Sequence, residues 1–253
     1  MTPPQPSPTF HLTGLGTRYS FYVEPPPAPA AEPWPVVLCL DGDDQFSTLC
    51  EARKKLAAKH PLPPLLLVGI GYGASYQKPG NHRARDYTSV AIEGAPDGGG
   101  ADAFLDFLTT QLWPELAKRY PIHPDIRGIA GHSLSALFAL HALFKPAPFF
   151  NRILASAPSI WWGDRILLQQ AADLRAAQST LPARVFLSVG LKDSPSMVTD
   201  LDLLEKQLAQ KPFSQLHIHS ERFPEHNHYN AIGVGFRAGL TSLFSPKLPS
   251  SPS

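Results

Sequence analysis

The stretch Arg127-Gly128-Ile129-Ala130-Gly131-His132-Ser133-Leu134-Ser135-Ala136 decides how this chain is read. Residues 127–131 are a short apolar run, as in a strand buried on both faces. Residues 134–144 are an apolar run long enough for a helix. Only His132 and Ser133 separate the two, so the backbone must turn sharply there. This is nearly the G-x-S-x-G elbow, in which a serine hydroxyl stands above a sheet at a helix N-terminus. Ser135 takes the place of the last glycine and Ala136 follows it. Both are small, so strand and helix can still pass closely. The competing reading makes Ser133 only the N-cap of the helix.

The same alternation recurs on either side. Strands are expected at 18–23, 36–40, 65–70, 152–156, 184–189 and 216–222. Helices are expected at 45–59, ended by His60-Pro61, and from Ala101, with Pro114 kinking or restarting the helix. Further helices are expected at 165–178, along Val198, Leu201, Leu204 and Leu208, and at 229–244. Repeated strand-then-helix units imply right-handed crossovers. The fold class is therefore α/β, a mostly parallel sheet with helices on both faces. One domain, residues 9–245, accounts for the pattern. Residues 1–8 and 246–253 are expected to be disordered tails.

Ligands of such sheets bind beyond the carboxyl ends of the strands, so the residues there are the candidates for chemistry. A serine nucleophile needs a base, and the base needs an orienting acid. Asp193 follows the strand at 184–189, and its competing reading is a helix cap. Asp200 and Glu205 are weaker alternatives, since helical periodicity assigns them to solvent faces. His228 follows the strand at 216–222 and is the candidate base, with His226 as runner-up. The order Ser133, Asp193, His228 is that of a serine hydrolase built on this architecture. An oxyanion hole needs two N–H groups. One is expected from Leu134. The other is expected from the loop after the strand at 36–40, where Gly42 allows the turn and Asp43 presents its N–H.

Composition excludes several classes. The chain has 253 residues, with Lys+Arg 22 against Asp+Glu 21. That balance carries no basic excess for a nucleic-acid partner. The two cysteines, Cys39 and Cys50, are too few for a disulfide scaffold. No apolar stretch approaches the roughly 18 residues of a membrane span, and no secretory signal is visible, so the expected location is cytoplasmic. Of the 28 prolines, ten fall in the first 35 residues and three in the last eight. Gly69-Ile70-Gly71-Tyr72-Gly73 lacks the following helix and the acidic residue of a dinucleotide loop. His217 and His219 share a strand face, but no third metal ligand stands at a clear spacing.

Several motifs together carry a family resemblance. They are Leu40-Asp41-Gly42-Asp43, Val68-Gly69-Ile70-Gly71-Tyr72, Arg85-Asp86-Tyr87-Thr88, Gly131-His132-Ser133, Ala157-Pro158-Ser159-Ile160-Trp161-Trp162 and Glu225-His226-Asn227-His228. Over residues 9–245 the chain resembles the esterase family of α/β-hydrolases that includes the trilactone siderophore esterases, hydrolases of salmochelin, enterobactin and bacillibactin. The resemblance implies hydrolysis of a small-molecule ester, a ferric siderophore among the candidates, with no metal and no organic cofactor. It implies Ser133 as nucleophile and His228 as base. Asp193 matches a position where relatives carry an acidic residue, often Glu. It implies further that Arg83, Arg85 and Tyr87 line the substrate pocket. The competing reading assigns Arg85 and Asp86 to a salt-bridge network that fixes their loop. Of Trp161 and Trp162, one is expected to pack inward and the other to form an aromatic wall.

Overall fold

The computed structural model describes residues 8–27, 33–58 and 62–245. The expected tails, apart from Pro8, and the expected helix stop at Lys59, His60 and Pro61 lie outside the described residues.

Among the described residues, eight strands form one sheet in the order β1-β2-β4-β3-β5-β6-β7-β8. They are β1 (Phe10–Gly14), β2 (Thr17–Glu24), β3 (Trp34–Cys39), β4 (Leu66–Gly71), β5 (Ile122–His132), β6 (Arg152–Ser156), β7 (Thr180–Gly190) and β8 (Ser214–Phe223). From β4 to β8 all neighbours run parallel, while β1 and β2 are antiparallel additions at one edge. The helices are α1 (Gly42–Ala57), α2 (Arg83–Asp86), α3 (Ala101–Phe107), α4 (Trp113–Arg119), α5 (Leu134–Leu143), α6 (Trp162–Ala177), α7 (Pro195–Gln210) and α8 (Ala231–Phe244).

The strand side chains alternate between two cores, as a period of two requires. Val36, Leu38 and Leu40 point to one core, with Phe104, Leu137, Leu167 and Leu201 from α3, α5, α6 and α7. Val37 and Cys39 point to the other, with Phe46 and Leu49 of α1 and Phe236 and Leu240 of α8. The three layers expected from the sequence are therefore present. All ten residues of α5 are buried, which is why it reads as apolar on every side.

Two local features differ from or refine the expectations. Strand β1 is absent from the sequence reading. It joins β2 through Leu15 and Gly16, both at positive φ (52° and 69°), the backbone of a tight hairpin turn. The alternation of buried Phe10 with more exposed neighbours was its signal. Between α3 and α4, residues Leu108–Leu112 widen into a π-helical turn. Pro114 comes just after that turn, and the helical backbone runs from α3 into α4 without a break; the ring's missing N–H is accommodated by the wider turn before it.

Candidate active site

The site forms where β3, β5, β7 and β8 end. Ser133 lies between β5 and α5 at φ 64°, ψ −120°. A non-glycine residue at positive φ is uncommon and strained. Its side chain makes no cap hydrogen bond to α5, which sets aside the N-cap reading. Its backbone is held instead from three sides. The Ser133 N–H donates to the Ser156 carbonyl, and the Ser133 carbonyl accepts from the N–H groups of Leu137 and Ser159.

Ser135, which departs from the usual glycine, fits the elbow and stitches it. It is fully buried, and its Oγ accepts from the His132 N–H at 3.0 Å and donates to the His132 carbonyl at 2.8 Å. Gly131 is the position that tolerates nothing larger. A Cβ there would lie 2.5 Å from the Ser135 carbonyl carbon.

Asp193 Oδ2 lies 2.7 Å from His228 Nδ1. Asp193 Oδ1 accepts the Ser194 N–H at 2.7 Å, so both carboxylate oxygens are occupied and the side chain is fixed. The histidine loop reaches Asp193 because Gly190 has no side chain. A Cβ at Gly190 would stand 2.2 Å from the His226 carbonyl oxygen. Nε2 of His228 has no partner among the described residues. His228, Ser133, His132 and Leu134 line one cleft of about 420 Å³, with Gln45, Tyr76, Gln77, Asn81, Arg83, Ala84, Tyr229 and Ile232. His226, the alternative base, stacks edge-on with Phe223 and stays outside this lining.

His132 was not singled out from the sequence, yet its ring lies 4.5 Å from that of His228. Its Nδ1 is 3.1 Å from Ser156 Oγ. Burial, and then the neighbouring His228, depress its pKa to about 3. It is thus a neutral ring beside the candidate base. Ser159, in the Ala157–Trp162 motif, is likewise close: its Oγ lies 3.2 Å from Ser133 Oγ. A single sequence carries no signal for either pairing, because each joins residues brought together only by sheet order.

The remaining candidates divide. Arg83 lines the cleft and grips Asp41 with two hydrogen bonds of 2.9 Å, through Nε and Nη2. Burial alone would lower its pKa, but the Asp41 carboxylate outweighs this and raises it. Its guanidinium also lies over the Tyr76 ring, 4.8 Å from the centroid. Arg85 does not line the cleft. It turns the other way, to Asp86 at 2.7 Å, Thr17, Tyr19 and the Leu15 carbonyl. The salt-bridge reading of Arg85 and Asp86 is therefore the correct one, since a single helical turn, α2, sends Arg83 and Arg85 in different directions. Tyr87 is also corrected. It is fully buried, and its hydroxyl accepts the Asp41 N–H at 3.0 Å, so it supports the site from beneath.

Gly42 packs against the β4 backbone, with a Cβ position only 2.7 Å from Ile70 N, and is not part of the cleft lining. The Asp43 carboxylate faces away, accepting from Tyr22 and from the N–H groups of Tyr72 and Gly73. The N–H groups of Asp43 and Leu134, each in the first turn of its helix, have no acceptor among the described residues. Trp162 packs inward with Nε1 donating to the Val90 carbonyl at 2.8 Å. Trp161 is 42% exposed and does not line the cleft. Asp200 is a further correction. It is fully buried, not solvent-facing, because Arg165 reaches it at 2.8 Å.

Among the described residues no group of three or more His, Cys, Asp or Glu side chains is arranged to hold a metal ion. Among them, too, no helix is long and apolar enough to cross a membrane.

Comparison with known proteins places the chain in a family. Over 144 residues the chain is 35% identical to the siderophore triacetylfusarinine C esterase of Aspergillus fumigatus, covering 55% of this chain and 49% of that protein. Over 191 residues it is 30% identical to the ferri-bacillibactin esterase BesA of Bacillus subtilis, covering 69% of this chain and 65% of BesA. The matches thus span between about half and just under two thirds of these curated relatives. Among solved structures, the BES protein from Bacillus cereus superposes with a TM-score of 0.84 at 28% identity, covering 94% of this chain and 95% of that one. Residues 13–242 match the family described as Putative esterase. This chain, with its α/β-hydrolase fold, belongs to that family.

Proposed function

We propose that this protein is a serine ester hydrolase that opens the ester bonds of a siderophore through an acyl-enzyme at Ser133. The observation that carries the reading is the Asp193–His228 hydrogen bond, whose histidine lines the same cleft as Ser133 at its strained elbow. With Nδ1–H held by Asp193, His228 keeps Nε2 unprotonated for the serine. Ser133 Oγ attacks the ester carbonyl as its proton passes to Nε2. The N–H groups of Leu134 and Asp43 hold the oxyanion. His228 then protonates the departing alcohol oxygen, and water repeats the sequence to release the acid. None of these steps calls on a metal or an organic cofactor.

The substrate class rests on the curated relatives, named a siderophore triacetylfusarinine C esterase and a ferri-bacillibactin esterase. Arg83 supports it. Two of its nitrogens are engaged by Asp41, and Nη1 donates to nothing among the described residues, leaving a fork edge for a catecholate or carboxylate oxygen. A cytoplasmic location belongs to the same reading.

A fluorophosphonate probe tests the reaction class. The wild type is expected to be labelled and Ser133→Ala to stay unlabelled. An unlabelled wild type would mean a hydrolase fold used only for binding. Hydrolysis of a ferric trilactone siderophore, run beside a short nitrophenyl ester, tests the substrate. Turnover of the nitrophenyl ester alone would replace the siderophore assignment with a general carboxylesterase.

A further inference from the structure

We propose that Ser159 is a second hydroxyl of the reaction centre, donating a hydrogen bond to Ser133 Oγ when that oxygen leaves during deacylation. The proposal rests on the serine-hydrolase reading above and adds a residue to it. Ser159 Oγ lies 3.2 Å from Ser133 Oγ and is, among the described residues, the one side-chain partner of that oxygen. Ser159 is almost fully buried, and no other partner competes for its hydroxyl among the described residues. When Ser133 gives its proton to His228, Ser159 can only be the donor in this pair, because a deprotonated oxygen only accepts.

The surroundings hold Ser159 in that place. Its N–H donates to the Ser133 carbonyl at 3.2 Å, and its own carbonyl accepts the Trp162 N–H at 3.1 Å. Trp162 is in turn fixed to the Val90 carbonyl. The next residues, Gly163, Asp164 and Arg165, all have positive φ (54°, 53° and 63°). Such a run is strained for Asp and Arg, and the Arg165–Asp200 pair clamps its end.

The chemistry is unequal between the two half-reactions. In the free enzyme either hydroxyl of the pair can donate; with the Ser133 proton directed at His228, as the reading above requires, Ser159 is the donor, and a serine hydroxyl oxygen is already a fair acceptor. In the acyl-enzyme the same oxygen is an ester oxygen and accepts weakly. Water adds to the acyl carbon, passing a proton to His228. The bond from acyl carbon to Ser133 Oγ then breaks, and Oγ takes its proton back from His228. Ser159 keeps its own proton throughout and shares it most strongly as charge grows on the departing oxygen. The interaction therefore gains strength in the deacylation transition state.

Ser159→Ala and Ser159→Cys test this, with two readouts on each variant. One is the rate of fluorophosphonate labelling, which stops at the covalent adduct. The other is nitrophenyl acetate hydrolysis, followed through burst and steady state, with the acyl-enzyme weighed by mass spectrometry. Both variants are expected to label within about twofold of wild type and to lose about tenfold in deacylation, the scale of one hydrogen bond. Acyl-enzyme should then accumulate. Cys refills the volume with a weak donor, so recovery in the Cys variant would assign the effect to packing and overturn the proposal. Equal slowing of labelling and deacylation would mean a displaced Ser133, and unchanged deacylation would mean no role; either overturns it. A wild type that resists the probe removes the serine-hydrolase reading itself, and this proposal with it.

Discussion

The carboxylate of Asp193 lies 2.7 Å from Nδ1 of His228, with only 4% of the Asp193 side chain exposed and 26% of the His228 side chain. The acid is sheltered while the ring keeps one edge open to the cleft. Asp193→Asn is expected to retain the fold and lower kcat at least about 100-fold, because an amide can force the other imidazole tautomer. Steady-state kinetics at constant KM would check it. A variant at full rate would reduce Asp193 to a loop residue.

Ser135 bonds both the N–H and the carbonyl of His132. Ser135→Ala leaves those groups without their partner and is expected to cost on the order of 1 kcal/mol in urea unfolding. Gly131→Ala should cost more, on the order of 1–3 kcal/mol, since its Cβ would meet the Ser135 backbone at 2.5 Å.

Arg83 and Asp41 form a fork whose carboxylate is fully buried and whose guanidinium is about one-fifth exposed. Arg83→Gln strands the Asp41 charge and is expected to destabilise by up to about 3 kcal/mol. Adding Asp41→Asn should recover most of that loss but not substrate affinity. Parallel measurement of unfolding and KM separates the two effects. A double variant no more stable than Arg83→Gln would show that the pair is not coupled.

Arg85 is expected to serve stability alone, since its contacts all point away from the cleft. Arg85→Met is expected to lower unfolding free energy by about 1–2 kcal/mol, through the lost bonds to Asp86, Thr17 and Tyr19. Its kcat/KM should stay within about twofold of wild type. A large rise in KM with unchanged stability would return Arg85 to the substrate pocket.

His132 gives a pH signature. Burial holds its folded pKa down at about 3, below the unfolded value of about 6.5. Between those values the unfolded chain binds a proton that the folded chain does not. Stability therefore falls as pH drops from about 6.5 towards 3. His132→Phe removes this contribution, so its urea midpoint should fall less steeply over that range than the wild type's. Identical slopes would show that His132 is not buried neutral.

Much of the site was readable because its signals are local. Ser133, Asp193 and His228 each follow a strand whose apolar run is plain, and the order of the three along the chain is visible without contacts. The irregularity expected at Pro114 follows from the ring's missing N–H, and it takes the form of the π-helical turn just before it. Strand β1 was harder, because five residues of weak alternation at a sheet edge bury little apolar surface.

The amino-acid sequence by itself determined the alternating strands and helices, the two apolar faces of the sheet and the three strand ends that carry Ser133, Asp193 and His228. Period-two burial and elbow sterics act between near neighbours and are written in the chain. Tertiary structure alone decided which way the long loop between β4 and α3 sends its side chains. It turned Arg83 into the cleft, Arg85 to the β1–β2 edge and Tyr87 beneath Asp41. It also set Ser159 against Ser133 and His132 against His228. Those choices depend on which strands become neighbours in the sheet, and that order is settled by packing between residues far apart in the chain.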